Sequence, residues 1–209
     1  MTPSGGSRKL LRKGLAILLS LAGAVSAQES LTDLAPFREG CRALADERFG
    51  TAAQRFQECW ELLAQEPVKG PESTFVASRL LESLVRDGAH RKAVAWIDRN
   101  PEFPRSPLTH QWMAAALQAQ GRWAEAADHF RTYLAAVGDA DPPATLNHAI
   151  CLFRSGQTEA AYETVREKVP PSTPEIALRR AQIAAKASPE TALEWIGKID
   201  PAGSDWKTV

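Results

Sequence analysis

Apolar and polar positions recur along this chain with a helical period. In "GRWAEAADHF" (residues 121–130), a glycine precedes Trp123, Ala126 and Phe130, whose offsets fall on one side of an α-helix. An alanine followed four residues later by a large apolar residue recurs along the chain at Ala52/Phe56, Ala93/Ile97, Ala126/Phe130, Ala161/Val165 and Ala192/Ile196. The alanines are 41, 33, 35 and 31 residues apart. Self-similarity at this period marks stacked helical hairpins. The small residue lets two antiparallel helices approach, and the large one a turn later fills the space between hairpins.

The punctuation fits the same scheme. Gly88, Gly121 and Gly156 each stand five residues before a seam alanine, where a left-handed residue stops a helix. Ser106-Pro107, Asp141-Pro142, Thr173-Pro174 and Ser188-Pro189 pair a capping residue with a proline that loses nothing at the first helical position. Gly70-Pro71 opens another helix in the same way. The pattern predicts first helices near 31–46, 72–87, 107–120, 142–155 and 174–187. It predicts second helices near 49–65, 90–99, 123–136, 158–168 and 189–198. No stretch alternates with period two, so the expected class is all-α.

With "FGTAAQRF", "GAHRKAVAWI", "GQTEAAYETV" and "SPETALEWI" beside "GRWAEAADHF", the chain resembles the tetratricopeptide repeat family over about residues 33–200. Gly40, twelve residues before Ala52, matches the family glycine of the first helix. The resemblance implies a right-handed superhelical solenoid of about five antiparallel helix pairs. The chain departs from the pattern at Arg180, where a small residue is expected, and at His90, Thr158 and Pro189, three before the seam alanines. The first spacing of 41 implies an insertion near "QEPVKGPEST".

By the same resemblance, the first helix of each pair builds the concave wall. Groove-facing positions would be Phe37 and Cys41, then Ser78, Glu82 and Val85, then Gln111, Ala115 and Gln118, then Leu146, Ile150 and Phe153. That wall is largely neutral to apolar. The Lys/Asn/Arg set with which some family members clamp a peptide carboxylate is absent, and Asn147 alone does not supply it.

Charge changes the picture at one end. The whole chain balances 25 Lys and Arg against 25 Asp and Glu. Residues 1–27 hold no acid and four bases: Arg8, Lys9, Arg12 and Lys13. A basic stretch, an apolar run from Leu15 to Val25 and the small residues Ser26 and Ala27 have the order of a secretory signal peptide, with cleavage expected after Ala27. The run is shorter than a membrane span. Domains are then 1–27 signal peptide, 28–200 repeat domain, and 201–209 tail or start of a further repeat. The expected location is periplasmic or extracellular, with no stable span after cleavage. Without the leader, 21 bases face 25 acids, an ordinary surface balance that argues against nucleic acid, which needs a concentrated basic face, as a main partner.

Candidate chemistry is sparse. Cys41, Cys59 and Cys151 form no CxxC, and helix-rise arithmetic places Cys41 and Cys59 out of disulfide reach. His110, His129 and His148 are spaced by 19 and read as lying on different hairpins, without metal-ligand spacing. Glu125 and His129 read as an exposed i, i+4 pair. Four tryptophans, Trp60, Trp96, Trp123 and Trp195, fall on second helices as packing; Trp112 is on a first helix and Trp206 in the tail. No phosphate loop, G-x-S-x-G, HExxH or dinucleotide fingerprint occurs, so no catalytic residue, metal or cofactor is expected. The expected function is a non-enzymatic scaffold of the cell envelope that binds a protein or extended peptide. The alternative is an accessory or substrate-binding module of a system handling polysaccharide or peptidoglycan. A third reading is an N-terminal piece of a longer repeat protein.

Overall fold

The computed structural model of the chain describes residues 31–63, 70–103, 105–138 and 141–199. The predicted signal peptide, its cleavage point and the tail with Trp206 lie outside the described residues. Ten α-helices and no strand occur among those described: α1 Ala35–Ala45, α2 Phe49–Leu63, α3 Pro71–Arg86, α4 His90–Arg99, α5 Pro107–Ala119, α6 Trp123–Val137, α7 Pro142–Arg154, α8 Thr158–Lys168, α9 Pro174–Ala187 and α10 Pro189–Gly197. No helix is long and apolar enough to cross a membrane among the described residues.

The helices pair in chain order. Each packs on the next, and first helices also meet directly, α3 against α5 and α7 against α9. The turn inside each of the first four hairpins repeats one hydrogen-bonding scheme. At the third, Gly121 N–H donates to Gln118 O at 3.0 Å and Arg122 N–H donates to Leu117 O at 3.0 Å. The paired bonds satisfy carbonyls that the helix end would leave open, and they need a left-handed residue between them. Gly121 supplies it with φ +74°, as do Gly88 at +74° and Gly156 at +88°. The first hairpin makes the same bonds around Glu47, at φ +57°.

Starts follow the sequence with one exception. Ser106 and Thr109 form a reciprocal capping box at the head of α5. Asp141 accepts from Ala144 N–H at 2.9 Å and from Tyr133 O–H at 2.8 Å, and Thr173 accepts from Ile176 N–H at 3.2 Å. Ser188 was expected to cap α10 but makes no such bond. It is the only residue between α9 and α10, and its hydroxyl pairs with the Thr191 hydroxyl instead.

Ala52, Ala93, Ala126 and Ala161 are fully buried at the seams, and Phe56, Ile97, Phe130 and Val165 are buried one turn on. At the first seam a Cβ on Gly40 would stand 2.9 Å from the Phe56 ring, so only glycine admits this approach. The fifth hairpin departs: Ala192 is buried, but Ile196 is 47% and Leu193 70% exposed. One core runs from Leu31 to Ile183, whereas Tyr162, Ala184 and Ala192 form a separate small cluster with Trp195 against it.

Candidate functional site

Three places on this frame carry polar or exposed features: the first-helix wall, a histidine pair in the third hairpin, and a cleft at the fifth.

On the wall, Glu82, Val85, Gln111, Ala115, Gln118, Ile150, Phe153 and Cys41 are partly exposed. Three expected groove residues are not. Phe37 is 2% exposed and lies between the rings of Phe56 and Phe75, at 6.1 and 5.9 Å, because it closes the core of the first hairpin. Ser78 and Leu146 are also buried, turned toward neighbouring helices. The wall carries more charge than its expected residues suggest. Glu82 pairs with Arg79 at 2.8 Å and Arg86 at 3.3 Å, and those guanidiniums lie over Phe75 and Phe49 at 5.1 and 4.4 Å. Lys186 of α9 lies 5.1 Å over the Phe153 ring of α7. Arginine and lysine stems laid on aromatic rings keep their charge in water while covering apolar surface.

The cysteines are three free thiols. Burial raises Cys59 to about 11 and Cys151 to about 12, and raises Cys41 as well, against the opposing charge of Arg79. Thiols held protonated in this way are poor nucleophiles.

The histidines correct the sequence reading. His110, the fourth residue of α5, and His129, the seventh of α6, belong to one hairpin, and their Nδ1 atoms are 2.9 Å apart. One ring donates and the other accepts. Burial is the first cause lowering both, His129 to about 4; the charge of Arg105 lowers both further, and His110 also lowers His129. The expected Glu125–His129 pair is replaced: Glu125 takes two bonds from Arg122, at 2.7 and 2.6 Å. His148 of α7 stands apart, lowered by burial, in a shallow depression with Arg131, Glu163 and Lys168. Among the described residues no group of three or more His, Cys, Asp or Glu could hold a metal ion.

The cleft encloses about 300 Å³ between the α8–α9 link, α9 and α10. It is lined by Pro171, Ser172, Thr173 and Pro174 at the link and the head of α9, by Ala177 and Arg180 within α9, and by Trp195, Lys198 and Ile199 at the end of α10 and just beyond it. Arg180 is only 8% exposed. Its Nε donates to Val165 O at 3.2 Å, in the last turn of α8, and its guanidinium carbon lies 4.3 Å over the Trp195 ring. Trp195 stacks in turn on Tyr162 at 6.1 Å, and the Arg166 guanidinium carbon lies 5.4 Å over the Tyr162 ring. The sequence marked Arg180 as a departure from the repeat but gave it no role.

No family model, no curated protein and no solved structure matches the chain.

Proposed function

We propose that the hairpins form a right-handed, tetratricopeptide-like solenoid that serves as a non-enzymatic docking scaffold for a protein or extended peptide in the cell envelope. The observation carrying this reading is the packing of first helix on first helix, α3 on α5 and α7 on α9, with Val85, Ala115, Ile150 and Phe153 left partly exposed along them. First helices packed in this way, with half-open apolar positions, offer a docking surface of the kind stacked repeats use. Two arginines against one glutamate beside Val85, and Lys186 over Phe153, favour a partner segment with apolar anchors and acidic flanks. Export rests on the order of basic, apolar and small residues before Gln28.

The test is affinity capture from the native cell envelope with the wild-type chain and with Ile150→Asn and Phe153→Asn. Both substituted residues are partly exposed, so helical content by circular dichroism should hold while capture of the principal partner drops at least tenfold. Undiminished capture by both variants would remove the wall from the reading. Loss with His129→Ala alone would point to the histidine pair instead.

A further inference from the structure

Arg180 stands where the repeat keeps a small or apolar side chain. The positions twelve residues before the other seam alanines are Gly40, Leu81, Ala114 and Ala149, all buried. Putting a guanidinium there removes a full charge from water, which is costly unless a counter-ion compensates. None does among the described residues. Glu167 pairs with Arg166, Glu175 with Arg179 and Glu194 with Lys198, while Glu190, exposed at the start of α10, makes no described ion pair with Arg180. Of the five N–H donors on an arginine, only the Nε–H of Arg180 has a described acceptor. Arg180 lines a cleft with no acidic lining residue described, and Thr173 and Pro174 at the positive end of α9 line the same space.

We propose that this cleft binds a monoanionic carboxylic acid with an apolar body, its carboxylate on the Nη edge of Arg180 and its body against Trp195, Ile199 and Ala177. One uncompensated positive charge balances one negative charge, and the planar guanidinium fork matches a carboxylate in shape. The other lining cation, Lys198, is paired with Glu194, so a dianionic phosphate would bring a second charge that no free lining cation offsets. The Ser172 and Thr173 side chains stand at the rim, and the Thr173 hydroxyl already accepts from Ile176 N–H. The volume lies at the small end of ligand sites, suited to a ring-sized acid. The cleft shares α9 with the wall but none of the residues named there, so this inference does not depend on the scaffold reading. The competing role for Arg180 is to satisfy the Val165 carbonyl at the end of α8, which would affect stability and bind nothing.

The experiment uses the full chain, isotopically labelled, with the Trp195 indole N–H resonance assigned through Trp195→Phe. It is titrated with benzoate, benzyl alcohol, inorganic phosphate and N-acetylphenylalanine. Benzoate should move the Trp195 resonance saturably, while benzyl alcohol and phosphate should not. N-acetylphenylalanine binding more tightly than benzoate would identify a peptide-terminal carboxylate as the source; weaker binding would identify a free small acid. Arg180→Gln should weaken benzoate at least tenfold, and Arg180→Lys should fall between the two. Ala177→Leu keeps Arg180 but puts a larger side chain into the cleft lining, and it should also weaken binding, so the question is decided even if Arg180→Gln unfolds. The proposal is overturned if benzoate leaves Trp195 unmoved, if benzyl alcohol or phosphate acts equally, or if folded Arg180→Gln and Ala177→Leu bind as the wild type does.

Discussion

A hydrogen bond between two neutral imidazoles, such as His110–His129, is sensitive to acid. A first proton can enter at the far Nε2 of the donating ring and leave the bond intact. A second must take the shared Nδ1 position and set two donors face to face at 2.9 Å. Arg105 opposes charging from the residues ahead of α5, and Asp128 and Glu125 favour it from α6 itself. The folded pKa of His129 is depressed, from an ordinary 6.5 to about 4, so its contribution is complete above 6.5 and is lost as pH falls toward 4. Melting temperature should therefore drop across that window. His129→Gln should be less stable at pH 7, by about 1 kcal/mol for a lost buried bond, yet lose less on acidification. His148, also lowered by burial, contributes to both curves and cancels in their difference. Circular dichroism melts at pH 7 and 4.5 check this; parallel losses would exonerate the pair. The pair was legible in the sequence but was misread through its spacing of 19. Counted from Gly121, His110 lies 11 residues back and His129 8 forward. Antiparallel helices then bring them level to within about 5 Å at 1.5 Å rise per residue. What spacing alone could not show is that the rings turn toward each other and not toward Glu125, because Arg122 takes that carboxylate.

At the scale of single helices, the turns carry most of what the sequence made readable. Gly88, Gly121 and Gly156 were identified as stops from their distance to the seam alanines, and all three take the left-handed conformation. Gly121→Ala should cost about 1 kcal/mol, since a Cβ is strained at φ +74°. The first hairpin offers the opposite experiment. Glu47 occupies the equivalent place at φ +57°, so Glu47→Gly should relieve strain and gain up to about 1 kcal/mol. Each change corresponds to a shift of about 2–4 °C in melting temperature, in opposite directions, by calorimetry. Shifts of the same sign would mean that the two turns are not equivalent. The fifth hairpin resisted this reading for a physical reason. A one-residue link leaves Ser188 to end α9 and begin α10 at once, with its N–H on Ala184 O at 2.7 Å and its hydroxyl on Thr191. With its hydroxyl engaged by the Thr191 hydroxyl, Ser188 accepts from no backbone N–H at the head of α10. The cleft beside Arg180 was equally hidden, because the repeat pattern reports which positions are buried but not where a long side chain goes once it is there.

Across the whole molecule, packing that runs mainly between chain neighbours makes stability local. In such an array each hairpin is held by its own packing and its immediate neighbours, so opening free energies should differ along the chain. The third hairpin is braced on both sides, by α3 and α4 before it and α7 after it, and it buries Met113, Ala114, Leu117, Ala126 and Phe130. In α10, only Ala192 is buried among nine residues, its outer face leaves Leu193 and Ile196 exposed, and Tyr162, Ala184 and Ala192 cluster apart from the main core. Amide hydrogen exchange under native conditions should therefore find α10 opening first and α5–α6 last. Ala126→Leu supplies a directed test of the same idea. It overpacks a seam with no free space, at a cost of about 1–3 kcal/mol. Protection should fall in α5–α6 and in the α7 helix packed against them, while α1–α2 and α10 keep their wild-type rates. If every helix instead lost protection together, the chain would be one cooperative unit despite its neighbour-to-neighbour packing. Such a molecule could not adjust its fifth hairpin to a ligand without disturbing the wall of first helices. If exchange is graded, the Arg180 cleft lies in the part of the array that opens most easily, and benzoate should slow exchange in α9–α10 alone.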